Sequence, residues 1–231
     1  MVVNTLISLD QQLLLWMNGS DSLFMDGVVS TLTNGLTWIP LYLALFYLVI
    51  KNNDTMLQIG LLIGGAALCI LLADGMADGI MKPLTERWRP CNDPILKYSV
   101  DVVYNMSGSK YGFFSAHAAN TMSLAVFFCL VVRSKILSRL LLFWSILSGW
   151  TRIYLGLHYP GDVLCGFLWG ALSGFIVYII YIKLYYKVSP HIKYISTQYT
   201  RSGYDFSDID VVTAVVAFTF VYAFLKTVVM L

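Results

Sequence analysis

The chain has 231 residues, of which 58% are hydrophobic and 12% charged, and its formal net charge is +2. A soluble domain carries about 25% charged residues, so this balance excludes an ordinary soluble globule and points to an integral membrane protein. A charge this small gives no reason to expect a nucleic-acid partner. The four cysteines, Cys69, Cys91, Cys129 and Cys165, show neither a metal-binding spacing nor a disulfide framework.

In chain order, Leu6, Leu9, Leu13 and Trp16 recur at helical spacing opposite Asp10, Gln11 and Gln12. This reads as an amphipathic helix in the membrane interface or as the packed start of the first span. No Lys or Arg precedes Lys51, so a cleaved signal peptide is not expected. Six apolar segments follow, near Leu32–Ile50, Met56–Asp74, Ala116–Val132, Ile136–Trp150, Val163–Tyr181 and Val211–Leu231. A spanning helix needs roughly 20 residues, so the fourth must borrow from Thr151–Tyr154. The fold expected is all-α: one domain over residues 1–231, a bundle of six transmembrane helices with an interfacial N-terminal helix. The connection Lys183–Asp210, with Pro190 and Gly203, reads as a partly helical surface segment.

With six spans, both termini, the 82–114 loop and the Thr151–Pro160 turn share one face. Lys51, Arg133, Lys135, Arg139, Lys183, Lys187, Lys193 and Arg201 fall on the other. That basic excess makes the second face cytoplasmic, so the first looks to the periplasm or exterior.

The polar groups of that first face fall in two stretches. One is Lys82-Pro-Leu-Thr-Glu-Arg-Trp-Arg89-Pro90, followed later by Phe114-Ser115-Ala116-His117. The other is Thr151-Arg152-Ile-Tyr-Leu-Gly-Leu-His158-Tyr-Pro-Gly-Asp162. Lys82, Arg89 and Arg152 are fixed cations of the kind that stabilise charge spreading over phosphoryl oxygens. If the stretch is helical, Lys82 and Arg89 lie two turns apart on one face and Pro90 ends the helix. A helix beginning at Ser115 leaves the N–H groups of Ser115, Ala116 and His117 free to bind an anion. Two histidines allow one to attack phosphorus while the other protonates the leaving group. Asp162, four residues past His158, is placed to hold one nitrogen of that ring, and His117, with no carboxylate nearby in sequence, suits the acid.

Taken singly, each group has a plainer reading. Lys82, Arg87 and Arg89 are flanking charges beside an interfacial Trp88, and His158 with Asp162 caps the fifth span. Asp74 and Asp78, without matching ligands, are polar residues at a span end, and His191 lies in the opposite, solvated loop. These readings weaken together, because all the groups of the two stretches fall on one face.

The three blocks are similar to the pattern of the type-2 phosphatidic acid phosphatase superfamily: Lys-x6-Arg-Pro, Pro-Ser-Gly-His and Ser-Arg-x5-His-x3-Asp. Lys82, Arg89 and Pro90 match the first block. Ser115 and His117 match the second, where Phe114 and Ala116 replace Pro and Gly. Arg152, His158 and Asp162 match the third, with Thr151 for Ser. The resemblance implies that His158 is the nucleophile of a phosphohistidine mechanism, Asp162 its partner and His117 the general acid. It implies a phosphate cradle of Lys82, Arg89, Ser115, Ala116 and Arg152, and no metal or other cofactor.

Vanadium haloperoxidases share this cradle but are soluble. The implied partners are a lipid phosphate and the bilayer, with no nucleic acid and no obligate protein partner readable. Undecaprenyl diphosphate, lipid A, phosphatidic acid and phosphatidylglycerol phosphate are the candidate substrates, and a bacterial inner membrane the expected location. The alternative is a silent membrane protein whose basic cradle binds lipid headgroups. A transporter fits less well, because the charges cluster near one surface rather than along a path.

Overall fold

Thr55, Ser115 and Ser134 each begin a helix by accepting a hydrogen bond from a backbone N–H of its first turn, and Thr55 completes a capping box with Gln58. A computed structural model describes residues 2–188 and 197–231. Its helices are α1 (Val2–Met17), α2 (Leu23–Thr33), α3 (Ile39–Lys51), α4 (Met56–Asp74), α5 (Lys82–Thr85), α6 (Ala116–Val132), α7 (Lys135–Tyr154), α8 (Pro160–Val188) and α9 (Phe206–Met230). Three helices among the described residues are long and apolar enough to cross a membrane: Met56–Thr85, Pro160–Val188 and Phe206–Met230. A bent pair, α2 with the segment ending in α3, makes a fourth if counted as one span. Helix α6 is apolar but has only 17 residues, and α7 reaches 20 by taking in Thr151–Tyr154 yet carries Lys135, Arg139 and Arg152. Pro190, His191 and Lys193 lie outside the described residues.

The first expected span, Leu32–Ile50, is broken rather than continuous. The chain bends by 67° between α2 and the segment Gly35–Lys51. The bend is stable because side chains take over carbonyls that a continuing helix would have used. Trp38 Nε1 donates to Leu32 O at 2.8 Å, and Thr37 Oγ1 donates to Thr31 O at 2.7 Å. Asn34 accepts from Leu36 N at 3.0 Å, and Pro40 opens α3.

Helices α6 and α8 make the most extensive pair in the molecule. Gly166, Gly170 and Gly174 recur every fourth residue along α8, where a Cβ would come within 2.6, 2.4 and 2.4 Å of the carbonyl oxygens of Ser115, Ala119 and Ser123. Only glycine permits this approach, the small-residue packing typical of membrane helices. The contact locks the start of α6, with His117, against the start of α8, with Asp162. The core beyond it packs Trp38 edge-on to Trp144 at 5.7 Å and buries Phe127, Leu137 and Leu141. Large apolar side chains such as Leu164, Leu168, Leu172 and Phe218 stay exposed on the outer surface.

Helix α1 turns its apolar side outward: Leu6, Leu9, Leu13 and Trp16 are exposed, Trp16 by 83%. Its inner side carries fully buried Leu14 and half-buried Asp10. Asp10 therefore points into the protein, not into water.

Candidate active site

The path from Lys82 to Arg89 is not one helix. Helix α5 stops at Thr85, Glu86 is left-handed with φ 47°, and the chain then runs extended. Trp88 pairs with Tyr111, Arg89 N donates to Lys110 O at 3.2 Å, and Gly112 N donates to Arg87 O at 2.8 Å. The expectation that Lys82 and Arg89 share a helical face is thus corrected; backbone pairing with residues 110–112 outweighs helical continuation. Lys82 Nζ instead pairs with Asp78, one turn earlier. Among the described residues no hydrogen bond or ion pair joins Lys82 to Arg89, Arg152 or His158.

Arg89 is buried and donates from each of its three nitrogens. Its Nε donates to Tyr111 O at 3.2 Å, its Nη2 to Ser109 Oγ at 3.2 Å, and its Nη1 to Leu157 O at 3.3 Å and His158 Nε2 at 3.0 Å. Gly108 and Gly112 let the loop backbone close over the guanidinium, since a Cβ at Gly108 would sit 2.8 Å from Arg89 Cζ. Burial lowers the Arg89 pKa from its ordinary value. A guanidinium only donates, so His158 Nε2 accepts and the ring proton resides on Nδ1.

That Nδ1 faces Asp162 Oδ2 at 3.6 Å, an electrostatic contact longer than a hydrogen bond, and it has no hydrogen-bond partner among the described residues. Asp162 is fully buried. Its Oδ2 accepts from Tyr159 N at 3.1 Å, its Oδ1 accepts from Arg87 Nη1 at 2.6 Å, and its carbonyl accepts from Ser115 N at 3.1 Å. The Ser115 N–H, expected to be free, is therefore engaged, because it ties α6 to α8. Ser115 Oγ caps Ala118 N at 3.4 Å. Ala116 and His117 occupy the first turn of α6, where N–H groups have no acceptor within the helix.

Burial, above all, pushes the His158 imidazole down to about 4, with Arg89 and Arg152 acting in the same sense and Asp162 against them. The ring is therefore neutral at pH 7 and keeps a lone pair. Arg152 stands at the end of α7; its carbonyl accepts from Leu157 N at 3.0 Å and His158 N at 3.2 Å, which fixes the turn bearing His158. Its buried Nε has no hydrogen-bond partner among the described residues. His117 lies within electrostatic reach of Arg152 and His158 and lines a cavity of about 130 Å³ with Tyr42, Asn120 and Ser148. The structure thus gathers Arg89, Ser115, His117, Arg152, His158 and Asp162, with Ala116 at the same helix start, and leaves Lys82 engaged with Asp78.

Two residues of this network were not singled out as functional in the sequence. Arg87 forks between Asp162 and Asp10, donating to each at 2.6 Å, and lies 4.2 Å from the centre of the Tyr159 ring. Burial alone would lower its pKa, but Asp162 and Asp10 raise it. A flanking charge gives no local signal of such a role; Asp10, the one charged side chain of α1, was the available hint.

Residues 59–186 match the PAP2 superfamily. The chain is 37% identical over 188 residues to a lipid A 4'-phosphatase of Bacteroides thetaiotaomicron, covering 79% of this chain and 81% of that protein. It is 28% identical over 179 residues to a lipid A 4'-phosphatase of Porphyromonas gingivalis, covering 77% and 75%. No solved structure matches the chain.

Proposed function

The chain belongs to the PAP2 superfamily and is a phosphatase, a phosphoric ester hydrolase; from that premise we propose that it removes phosphate from lipid A or a similarly phosphorylated envelope lipid. The observation that carries the mechanism is the 3.0 Å contact between Arg89 and His158 Nε2, which aims a neutral nitrogen lone pair at a buried cation. On substrate binding Arg89 Nη1 exchanges His158 Nε2 for a phosphoryl oxygen, and the phosphoryl group, held by Arg89, Arg152 and the Ala116 and His117 N–H groups, then meets the freed lone pair. Ser115 presents those N–H groups by capping α6, and Lys82 exchanges Asp78 for a phosphate oxygen.

In the first step His158 Nε2 bonds to phosphorus, the ester bond breaks, and His117 gives its proton to the departing alkoxide. Asp162 stabilises the positive ring that results. In the second step water attacks phosphorus, His117 takes its proton, and the N–P bond breaks to release orthophosphate. The fixed cations supply the charge stabilisation, so the reaction is read as metal-independent.

Six spans are the arrangement we favour: the bent α2–α3 pair, α4, α6, α7, α8 and α9. The basic excess of the opposite connections supports a site on the periplasmic side of a bacterial inner membrane. The names of the two relatives favour lipid A over undecaprenyl diphosphate, phosphatidic acid and phosphatidylglycerol phosphate.

The test is orthophosphate release by the detergent-purified protein from these four lipids with EDTA present, run beside folded His158→Ala. Release from lipid A alone, lost in the variant, supports the reading. Release that needs added metal, or that survives in the variant, overturns the mechanism. Vanadate binding without release from any lipid favours a headgroup-binding protein.

A further inference from the structure

Asp10 is the one carboxylate that reaches this site from α1. Its Oδ2 accepts from Arg87 Nη2 at 2.6 Å, and its Oδ1 accepts from Gly161 N at 2.7 Å, at the first turn of α8. The other arm of Arg87 holds Asp162 Oδ1 at 2.6 Å. One guanidinium therefore serves two carboxylates, and the second of them faces His158. A Cβ at Gly161 would meet Asp10 Oδ2 at 2.8 Å, so glycine leaves room for the carboxylate. The other side of α1 presents Leu6, Leu9, Leu13 and Trp16 outward.

We propose that Asp10 is a positioning residue for the candidate nucleophile, acting through Arg87 and Asp162, and that α1 carries it from the membrane interface. The physical reason is the sharing of charge. Asp162 has to stabilise a positive ring when His158 bonds to phosphorus. An Arg87 bound to Asp162 alone would neutralise that carboxylate and draw it away from Nδ1. Asp10 takes half of the guanidinium and fixes its plane, leaving Asp162 charged and aligned. In the same contact it ties α8, which bears Asp162, to a helix whose outer face suits lipid.

This inference rests on the phosphohistidine reading, and its test keeps the two apart. Asp10→Asn is the informative substitution. Its amide oxygen can still accept from Gly161 N, while its NH₂ group cannot accept from Arg87. kcat should fall about tenfold with KM unchanged, the size expected for one lost charged hydrogen bond. In an Arg87→Met background the same substitution should change nothing further, because the route runs through Arg87. Arg87→Lys is an independent arm: an ammonium keeps the charge but lacks the rigid planar fork that fixes the two carboxylates relative to each other, so kcat should fall likewise.

The second readout needs no substrate. In ¹⁵N-histidine spectra of the full chain in nanodiscs, the Nδ1 signal of His158 should move in Asp10→Asn. A full kcat in Asp10→Asn, an equal loss with Arg87 already replaced, or an unmoved Nδ1 signal each overturns the proposal. A parent protein that releases no phosphate from any lipid sinks the functional reading instead, and the Nδ1 signal still decides the role of Asp10.

Discussion

The two sides of the His158 ring are built differently. On the Nδ1 side, Asp162 is saturated: Arg87 and the Tyr159 N–H hold its oxygens, and its carbonyl anchors Ser115. On the Nε2 side stands Arg89, and within electrostatic reach of the ring lie His117 and Arg152, whose buried Nε has no hydrogen-bond partner among the described residues. The first side is a finished internal network, and the second concentrates positive charge that an anion would complete. The difference teaches how one ring can have a fixed proton on one nitrogen and a lone pair on the other. Preorganised dipoles and charges of this kind need no rearrangement as charge develops.

Substitutions on each side break this contrast in different ways. The largest effect is expected for Asp162→Asn, which removes the charge behind the ring; kcat should fall by about 10³–10⁴ in single-turnover assays, as for other histidine–carboxylate pairs. A loss below tenfold would mean the Nδ1 side does not matter. On the other side, Arg152→Gln should cost roughly 10²–10³ in kcat, the effect of one lost oxyanion donor. It should also weaken vanadate binding, which Asp162→Asn should spare. Equal weakening by both would erase the distinction between the sides.

His117→Ala sharpens the chemistry on the open side. Its loss should be roughly 10²–10⁴ for an alkyl phosphate, but much smaller for an aryl phosphate whose leaving group needs no proton. Equal losses for both would remove His117 from the acid's role.

The smallest effect is a titration. Because burial above all holds the His158 pKa near 4, the ring should stay neutral as pH falls from 8 to about 5, and gain its proton only below that. The ¹⁵N signals of the free protein report this, and an ordinary midpoint near 6.5 would mean that the ring is not buried among cations. Asp162→Asn should move the midpoint lower still, since Asp162 favours the charged ring.

Much of the site could be read from the chain because its parts are local. His158 and Asp162 are four residues apart, and Arg152 sits six residues before His158 on the same turn. The helix starts at Met56 and Ala116 agree with the apolar segments as read, because a capping Thr55 and Ser115 mark them. The break at Asn34 was only partly legible. Asn34-Gly35 and Pro40 interrupt the apolar run, but the hydrogen bonds that stabilise the bend come from Thr37 and Trp38 folding back onto α2. The extended course of Arg87–Arg89 escaped for a similar reason: its pairing partner, residues 110–112, lies over twenty residues away.

The sequence by itself determined an all-helical apolar chain and a set of cations, histidines and one carboxylate suited to phosphoryl transfer. Hydrophobic periodicity and short motif spacings are properties of neighbouring residues, and they persist whatever the rest of the chain does. The tertiary structure alone decided that Asp10 turns inward and that Arg87 bridges two carboxylates. It also decided that Ser115 spends its N–H on Asp162 and that Gly166, Gly170 and Gly174 bring α6 onto α8. Those contacts join residues from 47 to 77 positions apart, and a charge or a glycine carries no mark of its distant partner until packing brings the two together.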